Sequence, residues 1–245
     1  MPRSLPSRID GPVAAIGDIH GQSGELRQLL DQLRCEPDFA ERWVVFLGDF
    51  LDRGPSPRAA LDLVLALAKE HPKTTAVMGN HDLALLGALG LIDAPTDNHW
   101  PKRYLTSYNC SPTFRSYGVS VGDLPALARA MPDAHKEFLA ALPWSVEHPH
   151  YLFVHAGLEP ARAFESQLAA LRQRDVSHNR PPWLCSRSLA RQRPPADCTL
   201  TVVSGHVPVP SVRLSKQRLL LDTSGGYGHL SCVLLPENRI LTTRR

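Results

Sequence analysis

Five times along this chain a short apolar run stops abruptly at a glycine beside, or near, an aspartate, asparagine or histidine. Val13-Ala-Ala-Ile16 runs into Gly17-Asp18, Trp43-Val-Val-Phe-Leu47 into Gly48-Asp49, and Thr74-Thr-Ala-Val-Met78 into Gly79-Asn80. Later, Tyr151-Leu-Phe-Val154 ends at His155-Ala-Gly157 and Leu200-Thr-Val-Val-Ser204 at Gly205-His206. Runs of this length, bounded by turn residues, read as buried strands. Between the first two, Leu26, Leu29, Leu30 and Leu33 fall at i, i+3, i+4 and i+7, one face of a helix. Ser56-Pro57 opens a second helix with Leu61, Val64, Leu65 and Ala68 on one side, and His81-Asp82 leads into a third. Strand and helix alternate, so the strands are expected to be parallel and joined by right-handed crossovers. Ligands of such sheets bind at the carboxyl ends of the strands. A glycine there lets the backbone turn and a ligand come close.

Further strands are expected at 218–222, 230–235 and near Ile240-Leu241, giving a β-rich second half that forms a second sheet packed on the first. Between His81 and His155 the periodicity weakens into helical pieces such as 132–142. A single domain over 1–245 is expected, with a cap-like insertion at about 93–143.

Composition excludes several classes. The net charge is +3 without a long basic run, which argues against a nucleic-acid surface. No stretch offers the roughly 20 apolar residues of a membrane span, and Met1–Arg8 lacks the apolar block of a secretory signal. A cytoplasmic, monomeric protein without a membrane partner is expected. The five cysteines are scattered with no C-x-x-C pair, so neither a disulfide framework nor a thiolate zinc site is indicated.

Asp18, His20, Asp49, Asn80, His155 and His206 supply two carboxylates, one amide and three imidazoles. Oxygen and nitrogen without sulfur suit manganese, the first choice, or iron, zinc or cobalt. Six groups exceed what one ion with open positions needs; two divalent ions sharing a carboxylate use them all. Two such ions, less two carboxylates and a hydroxide, leave about one positive charge. Arg53 raises this to about two, the match for a phosphate monoester dianion, which arginine grips bidentately. The expected reaction is direct attack by a hydroxide bridging the two ions, with no covalent intermediate. His81 would protonate the departing oxygen and Asp52 would hold that imidazole.

Gly17-Asp18-Ile-His20-Gly21, Gly48-Asp49-Phe-Leu-Asp52-Arg53-Gly54, Gly79-Asn80-His81-Asp82, His155-Ala-Gly157 and Gly205-His206 resemble, in order, the signature blocks of the phosphoprotein phosphatase branch of calcineurin-like metallophosphoesterases. The resemblance implies an α/β (α+β) four-layer sandwich, two mixed sheets flanked by helices. It implies that Asp18, His20 and Asp49 hold one metal and that Asp49 bridges to a second held by Asn80, His155 and His206. Arg53 and Asn80 would bind phosphate, with His81 and Asp52 as the acid pair. Asn109–Gly118, Met131–Leu139, His155–Glu159 and Val202–His206 look like the Rhizobiales-like phosphatases, whose plant members prefer phosphotyrosine. The resemblance implies a phosphorylated protein or peptide as substrate.

The sequence departs from the main pattern in two places. The second phosphate-binding arginine has no clear motif, leaving Arg180, Arg187 and Arg191 as candidates, and Asp222–Gly228 replaces the usual carboxy-terminal loop. A symmetrical diadenosine-tetraphosphatase-like hydrolase, which shares the same blocks, or a broad-specificity phosphoesterase is the alternative, although the former is expected to lack the acid at position 52. A scaffold without activity would have lost ligands, and here every one is present. The remaining histidines (71, 99, 135, 148, 150, 178 and 229) read as surface or loop residues. Trp100, Tyr104, Tyr108 and Phe114 read as core of the cap before a substrate wall.

Overall fold

The computed structural model describes residues 5–92, 99–177 and 180–243. In chain order the first half contains β1 (Val13–Ile16), α1 (Ser23–Arg34), β2 (Trp43–Phe46), α2 (Pro57–Glu70), β3 (Thr74–Ala76) and α3 (Asn80–Ala88). Four helices follow: α4 (Trp100–Ser107), α5 (Ser111–Ser116), α6 (Leu124–Ala130) and α7 (Asp133–Ala141). The second half contains β4 (Ser145–Glu147), β5 (Tyr151–Val154), α8 (Phe164–Gln173), α9 (Pro182–Cys185), β6 (Thr201–Ser204), β7 (Arg213–Leu214), β8 (Arg218–Leu220), β9 (Ser231–Leu235) and β10 (Arg239–Thr242).

Two mixed sheets form. One has the order β10-β9-β1-β2-β3 and the other β4-β5-β6-β8-β7. β1, β2 and β3 are parallel, as are β5, β6 and β8. The period of two sorts their side chains: Val13, Ala15, Val45, Val203, Leu219 and Val233 form a core between the sheets, whereas Ala14, Ile16, Val44, Phe46 and Val202 pack beneath the helices. Helix, sheet, sheet, helix is the resulting layering, as the motifs implied. α1 buries Leu26, Leu29, Leu30 and Leu33, the four residues its spacing selects.

The structure corrects the sequence reading in several places. β9 and β10 do not extend the second sheet; β9 pairs antiparallel with β1, so the end of the chain returns to the first sheet. β4 and β7, antiparallel edge strands of three and two residues, are too short to show a period. On α2, Leu67 is buried with Leu61 and Val64, while Leu65 and Ala68 lie at the margin. His71 and His148 lie in loops, as expected, but are buried, and His135 is buried on α7. Each closes a gap between elements by a hydrogen bond: His71 Nε2 to Arg42 O at 2.8 Å, His135 Nε2 to Asp62 Oδ1 at 2.9 Å, His148 Nε2 to Gly11 O at 3.0 Å. His178 lies outside the described residues, as do 93–98 of the expected insertion. No helix among the described residues is long and apolar enough to cross a membrane.

Candidate active site

The loops leaving β1, β2, β3, β5 and β6 meet at one end of the two sheets, and they bring Asp18, His20, Asp49, Asn80, His155 and His206 together. His20, Asp49, Asp52, Arg53 and His206 all take positive φ, between 43° and 66°. That conformation is uncommon outside glycine and persists only where the surroundings enforce it. Two glycines show how tight the packing is: a Cβ on Gly79 would collide with Asp49, and one on Gly205 with the Asp18 carboxyl.

Asp49 sits at the centre and is 1% exposed. Its Oδ1 accepts the His81 amide at 2.9 Å. Its Oδ2 faces His20 Nε2 at 3.4 Å, His155 Nε2 at 3.4 Å and His81 Nε2 at 3.9 Å. Asp18 accepts the His206 amide at 3.1 and 3.0 Å, and its Oδ2 lies 4.0 Å from His20 Nε2. Asn80 Oδ1 lies 3.1 Å from His155 Nε2 and 2.8 Å from His206 Nδ1, and these two imidazole nitrogens are 3.2 Å apart.

The donor set fits a pair of cations. His20 Nδ1 and His155 Nδ1 donate to the carbonyls of Leu51 and Leu47, at 2.8 and 2.6 Å. A carbonyl only accepts, so each neutral ring turns its Nε2 lone pair toward the Asp49 carboxylate, where it can take a cation or a proton. His20 Nε2 is buried and has no hydrogen-bond partner. Acceptors converging on acceptors in a buried place call for positive charge between them. The protonation behaviour agrees. Burial pulls the His155 pKa down, but Asp49 and Asp18 outweigh it and push the imidazole up to about 10. Burial, with Asp222 beside it, raises the Asp18 carboxyl well above its usual range. Two overlapping groups emerge, His20 with Asp49 and His81, and Asp49 with His155 and His206. Asp49 is common to both.

Above this floor stands His81, 2% exposed. Its Nδ1 donates to Asp52 Oδ2 at 2.7 Å, and Arg53 Nη2 donates to its Nε2 at 3.0 Å. Arg53 also reaches the Gly225 carbonyl, at 3.3 Å. Tyr108 stands edge-on against the His81 ring, with centroids 4.7 Å apart.

The sequence reading missed several residues. Asp82 is fully buried and accepts the amides of Asp49, Phe50 and Gly79 at 2.8, 3.1 and 3.1 Å, which ties the β2 and β3 loops together. Burial and then Asp49 push its carboxyl up to about 7. Its place inside the Gly79-Asn80-His81-Asp82 block was the available signal. A pocket of about 490 Å³ opens over the floor, lined by Arg53, Arg103, Arg180 and Arg187 with Tyr108 and Tyr227. Arg180 and Arg187, two of the three arginine candidates, line it and Arg191 does not; Arg103, from α4, had no sequence signal. Trp100, Tyr104, Tyr108 and Phe114 are all buried, as the core reading expected, and Tyr108 also lines the pocket.

The calcineurin-like phosphoesterase family model matches residues 11–233, and the chain belongs to that family. Members of that family typically bind a binuclear divalent-metal centre. Curated relatives include symmetrical bis(5'-nucleosyl)-tetraphosphatases from Methylococcus capsulatus, 30% identical over 64% of this chain and 47% of the relative, and from Haemophilus ducreyi, 32% identical over 66% and 50%. The chain spans about half the length of these relatives. A crystal structure of a proposed diadenosine tetraphosphatase is similar in fold, with TM-score 0.62, 22% identity and 98% and 97% of the two chains covered. So is a cold-active protein-tyrosine phosphatase of a psychrophilic Shewanella, with TM-score 0.59, 19% identity and 97% and 80% covered.

Proposed function

We propose that the chain hydrolyses phosphate monoesters and that its substrates are phosphorylated protein or peptide side chains. The observation that carries this reading is the pair formed by His81 and Asp52, 2.7 Å apart and buried beside the metal-ligand cluster. An alcohol or phenol leaves a phosphoryl group as a strongly basic oxyanion, so a positioned proton donor is worth about 10²–10⁴ in rate. A nucleoside diphosphate leaves far more easily and needs that proton less.

Asp18, His20 and Asp49 would hold one divalent ion, and Asp49, Asn80, His155 and His206 the second. Bound there, the ions would supply the nucleophile and neutralise charge on the phosphoryl oxygens. The chain's own residues do the rest. Arg53 leaves the His81 imidazole to grip the phosphate with its planar fork. That frees Nε2 of His81 to take up a proton and deliver it to the departing oxygen, while Asp52 accepts the Nδ1 proton and holds the imidazolium in place. The phosphotyrosine preference rests on the narrower resemblance to Rhizobiales-like phosphatases.

A second reading, symmetrical hydrolysis of dinucleoside tetraphosphates, is favoured by the names of the curated relatives. The four arginines around one pocket favour it too, since a polyphosphate carries several charges. Steady-state rates of the manganese-loaded enzyme on phosphotyrosine, phosphoserine and phosphothreonine peptides and on diadenosine tetraphosphate separate the two. The first reading expects a phosphopeptide to have the higher kcat/KM. Faster cleavage of the dinucleotide would replace it with the second.

A further inference from the structure

We propose that Tyr104 and Thr113 are positioning residues that act through Asp52 to aim His81 at the leaving group. This rests on the acid-pair reading given above. Both side chains carry a hydroxyl, both are fully buried, and they come from α4 and α5, distant in sequence from the β2 loop they meet.

Their hydroxyls converge on one oxygen. Tyr104 donates to Asp52 Oδ1 at 2.7 Å and Thr113 to the same atom at 2.6 Å. Oδ2 is left to His81 Nδ1, at 2.7 Å. A carboxyl group with equivalent oxygens can rotate about χ2 and offer either one. Two donors on Oδ1 remove that freedom and fix the plane in which the imidazole hydrogen bond lies.

α5 and the turn that precedes it hold the backbone. Asp52 and Arg53 are successive non-glycine residues in the left-handed region, at φ 66° and 60°. The Asp52 amide donates back to Thr113 Oγ1 at 3.1 Å, and the Arg53 amide donates to the Asn109 carbonyl at 3.2 Å. Thr113 thus binds Asp52 through both main chain and side chain. The Tyr104 ring is itself packed between Tyr108 and Phe114, with centroids at 6.1 and 6.4 Å, and Tyr108 continues the contact to His81. A set of hydroxyls that only filled the core would need no such convergence on one functional oxygen.

Leaving-group dependence distinguishes positioning from mere structural support. kcat is measured on phenyl phosphate and on 2,4-dinitrophenyl phosphate for Tyr104→Phe, Thr113→Val, Thr113→Ser and His81→Ala, with metal content and thermal midpoint alongside. Tyr104→Phe and Thr113→Val are expected to lose roughly tenfold or more on phenyl phosphate and under about threefold on the dinitrophenyl ester. Metal content stays at the wild-type level. Thr113→Ser, which keeps the hydroxyl, retains wild-type behaviour, and Tyr104→Phe adds nothing in the His81→Ala background. Equal losses on both esters, no loss, or additivity with His81→Ala would overturn the positioning role. If His81→Ala itself were indifferent to the leaving group, the acid reading would fall and this inference with it. A selective loss in His81→Ala without one in Tyr104→Phe would sink this inference alone.

Discussion

The floor of the site and its wall are built differently. Each floor residue follows a strand end closely, and the main chain fixes four of the six: Leu51 and Leu47 carbonyls hold His20 and His155, while the amides of His81 and His206 hold Asp49 and Asp18. The wall depends on side chains from far away. Asp52 is held by Tyr104 and Thr113, and the rim arginines come from α4 and from the segment around α9. A ligand set fixed by backbone changes only if the sheets change. A wall fixed by side chains can differ between proteins sharing the sheets, so under the proposed function the floor would set the chemistry and the wall the substrate.

Breaking the floor should have the largest effect. Asp49→Asn weakens both ions at once, so elemental analysis should find metal lost together with turnover; full metal content with full activity would remove Asp49 from its shared position. Exhaustive chelation of the wild-type chain should abolish turnover, and added manganese should restore it. His81→Ala, a change in the wall, should cost about 10²–10⁴ in kcat on phenyl phosphate while sparing metal content. Were metal lost as well, the floor and the wall would not be separable.

Weaker effects sharpen the comparison. Arg180→Gln and Arg187→Gln should raise KM for a peptide or nucleotide substrate by roughly tenfold. On nitrophenyl phosphate, which fills only the floor, both variants should stay close to wild type. Equal effects on the two substrates would show that the rim belongs to the phosphate site itself.

The smallest prediction lies outside the site. Arg42, 2% exposed, donates to Asp38 and Glu237, and these hydrogen bonds hold both carboxyls below their usual range. A carboxyl depressed in the folded state stabilises it above its unfolded pKa, 4.5 for Glu237, and loses that contribution as pH falls through the lowered value. Urea midpoints of wild type and Glu237→Gln should therefore differ modestly near neutrality and converge under acid conditions. A constant gap across pH would show that packing, not charge, sets the difference.

Residue order in the chain made the floor legible. A parallel strand ending in glycine delivers the next side chain to the same edge of the sheet whatever the rest of the chain does. The six positions that the structure gathers could therefore be written down from five local patterns. The four helical leucines of α1 were legible for the same reason, since a period of 3.6 is a local property. The return of β9 to pair with β1 was not legible, because an apolar strand carries no mark of which partner it will meet. Nor was the burial of His71, His135 and His148, each satisfied by an acceptor far off in sequence.

What the chain's order determined by itself was which groups gather, and at which strand ends. Tertiary structure alone decided that Tyr104 and Thr113 meet Asp52, that Arg103 joins Arg180 and Arg187, and that Asp82 ties two loops together. The physical reason is distance along the chain. Local sterics and periodicity act over a few residues, whereas a buried hydroxyl or guanidinium finds its partner only when packing brings remote segments into contact.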